Sequence, residues 1–337
     1  MSKFKPYRWL MAGVACIVLL SSWGFLVHRT VNQLAVYQLP KPMQAFFYQY
    51  MDSVVKNAPR PDERRNWDST EAPKHFIDAE AYGNDSALWQ MPMSWNAAVA
   101  RYTKDTLEKY GYVPYWVMEI KERLTKAFRE QNKDSILFYA ADLGHYIGDA
   151  HVPLHTTINY DGQLTGQKGL HSLWESVVPE IELSSYHLYN GHKAQYLKDP
   201  ETAIWNAARG SYTLLHDVFR QEQEVSKLFA DSAKYRVQTR NGREYKSYTS
   251  GFAKAYNQQL GNTINQQLLS SAALIADFWY TCWVDGGRPN LKPLLEPPVS
   301  KAQKASMKKE WKAYKKDQLL QQNLLLARQK KTGEAKD

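Results

Sequence analysis

Residues 135–150 read as one long apolar helix carrying an imidazole and a carboxylate four residues apart, at His145 and Asp149. At that spacing both side chains project from one face and can grip one cation. Pro153 ends the helix and lets His155 turn toward a different point. Sixteen residues after His155 stand His171 and Glu175, again four apart. One His-x-x-x-Asp occurs often by chance, but two such pairs with a third His between them are hard to explain as core packing. Spacing alone therefore points to a multinuclear metal site at His145, Asp149, His155, His171 and Glu175. Zinc suits His and carboxylate ligands in threes and fours, though other divalent ions compete. Of the remaining histidines, His151, His187, His192 and His216 fit the set less well and are expected at the surface or supporting the ligands. His151, lying between ligands, matters most among them.

Period-3.6 patterns dominate the rest of the chain and predict an all-α, multi-helix bundle with a metal cleft. Helices are expected at 31–37, 45–56, 115–131, 135–150, 200–229 and 250–283, with a solvated one at 301–329. Residues 236–248, with Asn241-Gly242 at the centre, form the best hairpin candidate. The compact domain is expected over 23–298, leaving 299–337 as a basic helical or disordered tail.

The first 22 residues read as an export signal: Lys3, Lys5 and Arg8 precede an apolar run from Trp9 to Leu20, and Ser21-Ser22 offers small residues for cleavage. Leu20 sits where a signal peptidase prefers a smaller side chain. Extending the run through Val27 gives the alternative, an uncleaved membrane anchor; otherwise the chain is periplasmic or secreted. Cys16 falls in the signal, so a mature chain holds only Cys282 and no disulfide framework. The net charge of +9 is uneven: the signal supplies +3, residues 301–337 supply +7, and 23–300 sum to −1. A basic tail can touch nucleic acid or an anionic surface, or remain merely solvated. No protein partner is inferred.

Gly-Asp-x-x-x-Pro-Leu-His at 148–155 and Leu-His-Ser-Leu-Trp-Glu at 170–175 resemble signatures of a superfamily that joins zinc-dependent bacterial phospholipases C to single-strand-specific zinc nucleases. His75-Phe76-Ile77-Asp78, Asp62-Glu63-Arg64-Arg65, and Trp23-Gly24 followed by His28 are similar to its upstream motifs. The resemblance spans about residues 23–180 and implies three zinc ions. Asp62, His75, His145 and Asp149 would hold one. The α-amine and carbonyl of Trp23, with His28 and the shared Asp149, would hold a second, and His155, His171 and Glu175 a third. The Trp23 amine exists only if cleavage falls immediately before it. The reaction implied is phosphodiester hydrolysis, in which zinc neutralises phosphate charge and supplies hydroxide at neutral pH. Asp62 would orient the water or take its proton, Arg65 would face developing phosphate charge, and Asp78 would orient a ligand.

The substrate is either phospholipid or single-stranded nucleic acid. Glu175 resembles the phospholipase form, because the nucleases generally place Asp there, and residues 156–170 lack the paired-glycine element associated with the nucleases. Leu170 to Trp174 look nuclease-like. On this balance the expectation leans to phospholipase C-like hydrolysis, with a nuclease of the same superfamily as the alternative. A zinc-stabilised, membrane-tethered binding protein without catalysis is the reading from another class. Tyr146, Trp174, Trp89 and Trp95 can stack on bases, contact acyl chains, or pack in the core.

Overall fold

The computed structural model describes residues 24–240 and 243–329. The apolar periodicity becomes helix throughout. The elements that frame the molecule are α1 (Phe25–Gln38), α2 (Arg60–Arg64), α3 (Val113–Arg129), α4 (Lys133–Asp149), α5 (Thr263–Asp285) and α6 (Lys301–Lys315), with shorter helices between them. The hairpin forms where expected: β1 (Tyr235–Arg240) pairs antiparallel with β2 (Arg243–Tyr248), Tyr235 opposite Tyr248. The central Asn241 and Gly242 lie outside the described residues, as do Trp23 and the whole export signal. No helix among the described residues is long and apolar enough to cross a membrane.

At the centre runs α4, packed by α1, α3 and α5. Asn132 caps its start by accepting the amide of Ser135 at 3.0 Å. From Ala140 to Asp149 every residue of α4 is buried, including Asp142, His145 and Asp149. Two glycines bring α1 close to it. A Cβ on Gly144 would lie 2.2 Å from Asn32 Oδ1, and one on Gly148 would lie 3.1 Å from His28 Nδ1. The Asn32 amide in turn donates to the His28 carbonyl at 2.9 Å. The small-x-x-x-small stripe thus seats the His28 turn of α1 against α4. Gly144→Ala is expected to lower the unfolding free energy by about 1–3 kcal/mol, the usual effect of overpacking, as read by chemical denaturation.

Three expected helices are each two. Residues 45–56 divide at Tyr50, between Lys41–Gln49 and Met51–Asn57; residues 200–229 divide at Leu214, between Pro200–Thr213 and Leu215–Ser226. Residues 250–283 divide at Gly261, whose φ of +61° ends Ser250–Leu260 before α5 begins. The tail also differs from expectation, because α6 and its sequel dock on α1. The Trp311 indole donates to the Tyr37 carbonyl at 2.9 Å, Gln38 donates to the Tyr314 hydroxyl at 3.0 Å, and Gln33 donates to the Leu324 carbonyl at 2.8 Å. Tyr314, Leu319 and Leu325 are buried. Trp311 and Tyr314, three apart, share an apolar face that the surrounding lysines obscure in composition.

Candidate metal centre

Six segments bring carboxylates and imidazoles to one place. From α4 come Asp142, His145 and Asp149, on one helix face by their spacing of three and four. From α1 comes His28, and from α2 comes Asp62. His75 closes the 3-10 turn Ala72–Lys74, and two amides shortly after it pin the segment: Ile77 donates to the His155 carbonyl at 2.9 Å and Asp78 to the Tyr110 carbonyl at 2.8 Å. His155 lies in the 3-10 turn Pro153–Thr156. His171 and Glu175 sit on a helix whose turn over Leu173–Val177 widens to a π-helix, a distortion that often marks functional sites. The Asp161 side chain accepts the amides of Gly169 and His171 and so holds the entry to that helix.

The donor atoms form three groups: Asp62, His75 and His145; His28, His145 and Asp149; and His155, His171 and Glu175. In the first, His75 Nδ1 lies 3.1 Å from His145 Nε2 and 3.7 Å from Asp62 Oδ1, and His145 Nε2 is 3.8 Å from Asp62 Oδ1. Asp149 Oδ2 completes this group at 2.9 Å from His75 Nδ1 and 3.3 Å from His145 Nε2. The other oxygen of Asp149 faces His28 Nε2 at 3.5 Å, so this carboxylate lies between two groups. In the third, His155 Nε2 is 2.9 Å from His171 Nε2 and 3.2 Å from Glu175 Oε1, and His171 Nε2 is 2.9 Å from Glu175 Oε2. A tetrahedron with zinc–ligand bonds of about 2.0 Å has edges of about 3.3 Å, so these separations fit donors around a common small ion. His155 also has the right tautomer for a ligand: its Nδ1–H donates to the His75 carbonyl at 2.7 Å, leaving Nε2 for the cluster.

Electrostatics match this geometry. Burial alone would depress His145, but Asp149 and Asp62 outweigh it and raise the imidazole to about 9. The same opposition, with Glu175 and then Asp149 as the charges, raises His155 to about 9. Burial would raise the carboxyls of Asp149 and Asp62, yet His145 and its neighbouring imidazoles hold both below the usual range. Glu175 is held low against burial by His171 and His155. His28 goes the other way, to about 4, through burial and the nearby His145. The cluster is therefore a set of buried carboxylates that requires positive charge, with His28 neutral and ready to donate a lone pair.

The other expected residues fall unevenly. Arg65 Nη1 stands 3.5 Å from Asp62 Oδ1, and its side chain is 46% exposed. Asp78 is buried and pushed up to about 7 by burial and then by Glu80. Among the described residues its carboxyl makes no hydrogen bond or ion pair with a candidate ligand. The His155 Nδ1–H is held by the His75 carbonyl. Buried His151 bonds the Ile147 carbonyl and lines a cavity of about 40 Å³ with Gly24, His28 and Glu175. His187 and His192 pair with Asp317 and Asp277, and His216 is exposed beside Asp217, all outside the cluster. Tyr146 and Trp174 are buried and pack in the core. Trp95 packs on Tyr112 and Tyr115, and Trp89 on Tyr212.

Behind His75 lies a group that sequence reasoning missed. Glu71 is buried with Oε1 3.6 Å from His75 Nε2, and it bonds Lys74 at 2.8 Å, Arg64 at 3.3 Å and the Tyr146 hydroxyl. Arg64 also bridges to Asp142 at 2.7 Å, and Arg60 binds the same carboxylate, which fastens α2 to α4. Burial would raise the Glu71 carboxyl, but His75, Lys74 and Tyr146 hold it far below the usual range. A carboxylate behind a ligating imidazole fixes the ring and raises its basicity. Glu71→Gln is expected to weaken zinc binding by about 10–100-fold, measured by competition with a chromophoric chelator. Asp142 carried a readable signal, three residues before His145 on the same face; Glu71 carried only its place four residues before His75.

The family described as S1/P1 Nuclease matches residues 23–279, a stretch that contains every candidate ligand. No curated protein matches the chain.

Proposed function

The chain belongs to the S1/P1 nuclease family of zinc-dependent phosphodiester hydrolases, and from that premise we propose that it is an exported nuclease acting on single-stranded nucleic acid at a three-zinc cleft. The observation that carries the reading is the coincidence of the family match with the three donor groups. Asp62, His75, His145 and Asp149 would hold one ion; His155, His171 and Glu175 would hold another; His28 and Asp149, with the amine and carbonyl of Trp23, would hold the third. What supports the last set is Gly24, next to Trp23, which lines the cavity with His28 and whose Cβ position would be 3.9 Å from Glu175 Oε2. Removal of residues 1–22 would free the α-amine of the residue bonded to Gly24.

When bound, zinc neutralises phosphate oxygens and lowers the pKa of water, providing a nucleophile at neutral pH. The protein's own groups do the positioning. Asp149 divides its two oxygens between two donor groups and holds them together. Asp62, quarter-exposed and ionised, is the carboxylate at the mouth able to accept a proton from an attacking water. Arg65 beside it faces negative charge that develops on the phosphoryl group.

The family favours nucleic acid over the lipid toward which Glu175 and the short 156–170 segment lean. Glu175 has a local reason for its extra methylene: with the π-turn beneath it, both oxygens reach the two histidines at 3.2 and 2.9 Å. Tyr160, 53% exposed and edge-on to His171 at 6.1 Å between centroids, offers a base a stacking surface at the rim. Side-by-side assay of single-stranded DNA, RNA and phosphatidylcholine tests the proposal. Chelator-sensitive release of acid-soluble nucleotides is expected; phosphocholine release without nucleotides would overturn it.

A further inference from the structure

Of the three residues His155, His171 and Glu175, His171 is the one least held by its surroundings. Its side chain is 29% exposed, against 11% for His155 and 16% for Glu175. The second ring nitrogen of His155 is fixed by the His75 carbonyl, whereas among the described residues that of His171 makes no hydrogen bond. The direction of this imidazole is therefore set by the backbone that carries it. That backbone enters the helical turn Leu170–Ser172 at Gly169, whose φ of +100° suits glycine. Asp161 holds the entry from within the loop by accepting the Gly169 and His171 amides.

A second hold comes from outside the loop, through a buried cluster that belongs to none of the donor groups. Glu222, on the helix Leu215–Ser226, is buried. Its Oε1 accepts from Lys234 Nζ at 2.8 Å, the Tyr248 hydroxyl at 2.9 Å and Ser226 at 3.0 Å, and its Oε2 accepts from Gln167 Nε2 at 2.6 Å. Lys234, Tyr248 and Gln167 are buried as well. A buried ion pair adds little net stability over apolar packing of the same volume; what this one supplies is a fixed acceptor. Tyr248, the last residue of β2, meets the loop twice. Its hydroxyl lies 3.2 Å from the Gln167 carbonyl, and its ring lies against Gly169, where a Cβ would come within 3.3 Å of Cε2. The Gln167 carbonyl also accepts the amide of Leu170, the residue before His171, at 3.2 Å. Contacts thus run unbroken from Glu222 and Tyr248 through Gln167 and Gly169 to the first turn of the ligand helix. We propose that Tyr248 and Glu222 are positioning residues for His171, and through it for the zinc of the His155, His171 and Glu175 group. This rests on the three-zinc reading above.

Zinc content and affinity, read by dialysis of the processed full chain against buffered zinc and elemental analysis, test this without recourse to turnover. The wild type retains three ions. Tyr248→Phe removes the hydroxyl, keeps the ring on Gly169, and is expected to weaken one ion by about 10-fold, the lower end of the effect of groups that support a ligand from behind, while the other two are unchanged. Gln167→Leu, which severs the link at its other end, acts in the same direction. Tyr256→Phe is the control: it removes a buried hydroxyl that donates to the Val218 carbonyl of the same helix at 3.0 Å, away from the loop, and should leave all three affinities as they are. In a His171→Ala background, where that ion is already lost, Tyr248→Phe should change nothing further. A Tyr248→Phe protein with three wild-type affinities would overturn the proposal and leave the three-zinc reading in place. So would a Tyr256→Phe protein weakened as much as Tyr248→Phe, or a further loss in the His171→Ala background. A wild type that never takes up three ions would overturn both.

Discussion

Asp149→Asn is expected to hydrolyse phosphodiesters about 10³-fold more slowly than wild type, the equivalent of several kcal/mol of lost charge stabilisation. No other carboxylate is as central. One oxygen is 2.9 Å from His75 and 3.3 Å from His145, and the other is 3.5 Å from His28 and 3.8 Å from His155. An amide of the same shape keeps one acceptor, adds a donor where lone pairs are needed, and removes the negative charge that two donor groups share. In the metal-free cluster the protonated His145 and His155 would then lose a counterion, and leaving such a charge unpaired costs about 3–5 kcal/mol. The loss should appear in kcat together with reduced zinc content. A variant within tenfold of wild type, with its metal retained, would show that Asp149 does not bridge.

The second large effect is on stability. Stripping metal with a chelator is expected to lower the thermal midpoint by about 8 °C or more, and returning zinc should restore it. A ligand at a thousandfold excess over its dissociation constant stabilises by about 4 kcal/mol, and each kcal/mol is worth about 2 °C in a chain of this size or somewhat smaller. The metal-free cluster keeps its carboxylates compensated by protons on His145 and His155, both raised to about 9 by the acids beside them. At pH 7 these imidazoles are protonated, and ligation requires them neutral, so returning zinc releases protons and binds more tightly as pH rises toward 9. A midpoint unchanged by chelation would mean that the core of α1, α3, α4 and α5 carries the fold without the ions.

Much of this centre is legible in the sequence because helical geometry converts spacing into direction. His145 with Asp149, and His171 with Glu175, each stand four apart, and each pair converges in the structure. Pro153 redirects His155 as its chemistry requires. The convergence of Asp62, His75 and His28 on α4 depends on tertiary packing, and only resemblance to known signatures could associate them beforehand. What remained hidden has physical causes. Glu71 acts through a fold-dependent contact with His75 and resembles any surface glutamate in sequence. The stripe of Gly144 and Gly148 lies beside the ligand face of α4 and has meaning only once α1 is seen against it. The break at Leu214 has neither proline nor glycine to announce it. In α6 the lysines dominate composition, although Trp311 and Tyr314 dock the tail on α1.

The most direct test of a zinc hydrolase with a trinuclear cleft is the metal content of the active, purified enzyme, measured by elemental analysis per mole of chain. Three zinc ions per chain are predicted, held by the three groups around Asp149 and Glu175. One ion or none in a fully active preparation would contradict the account.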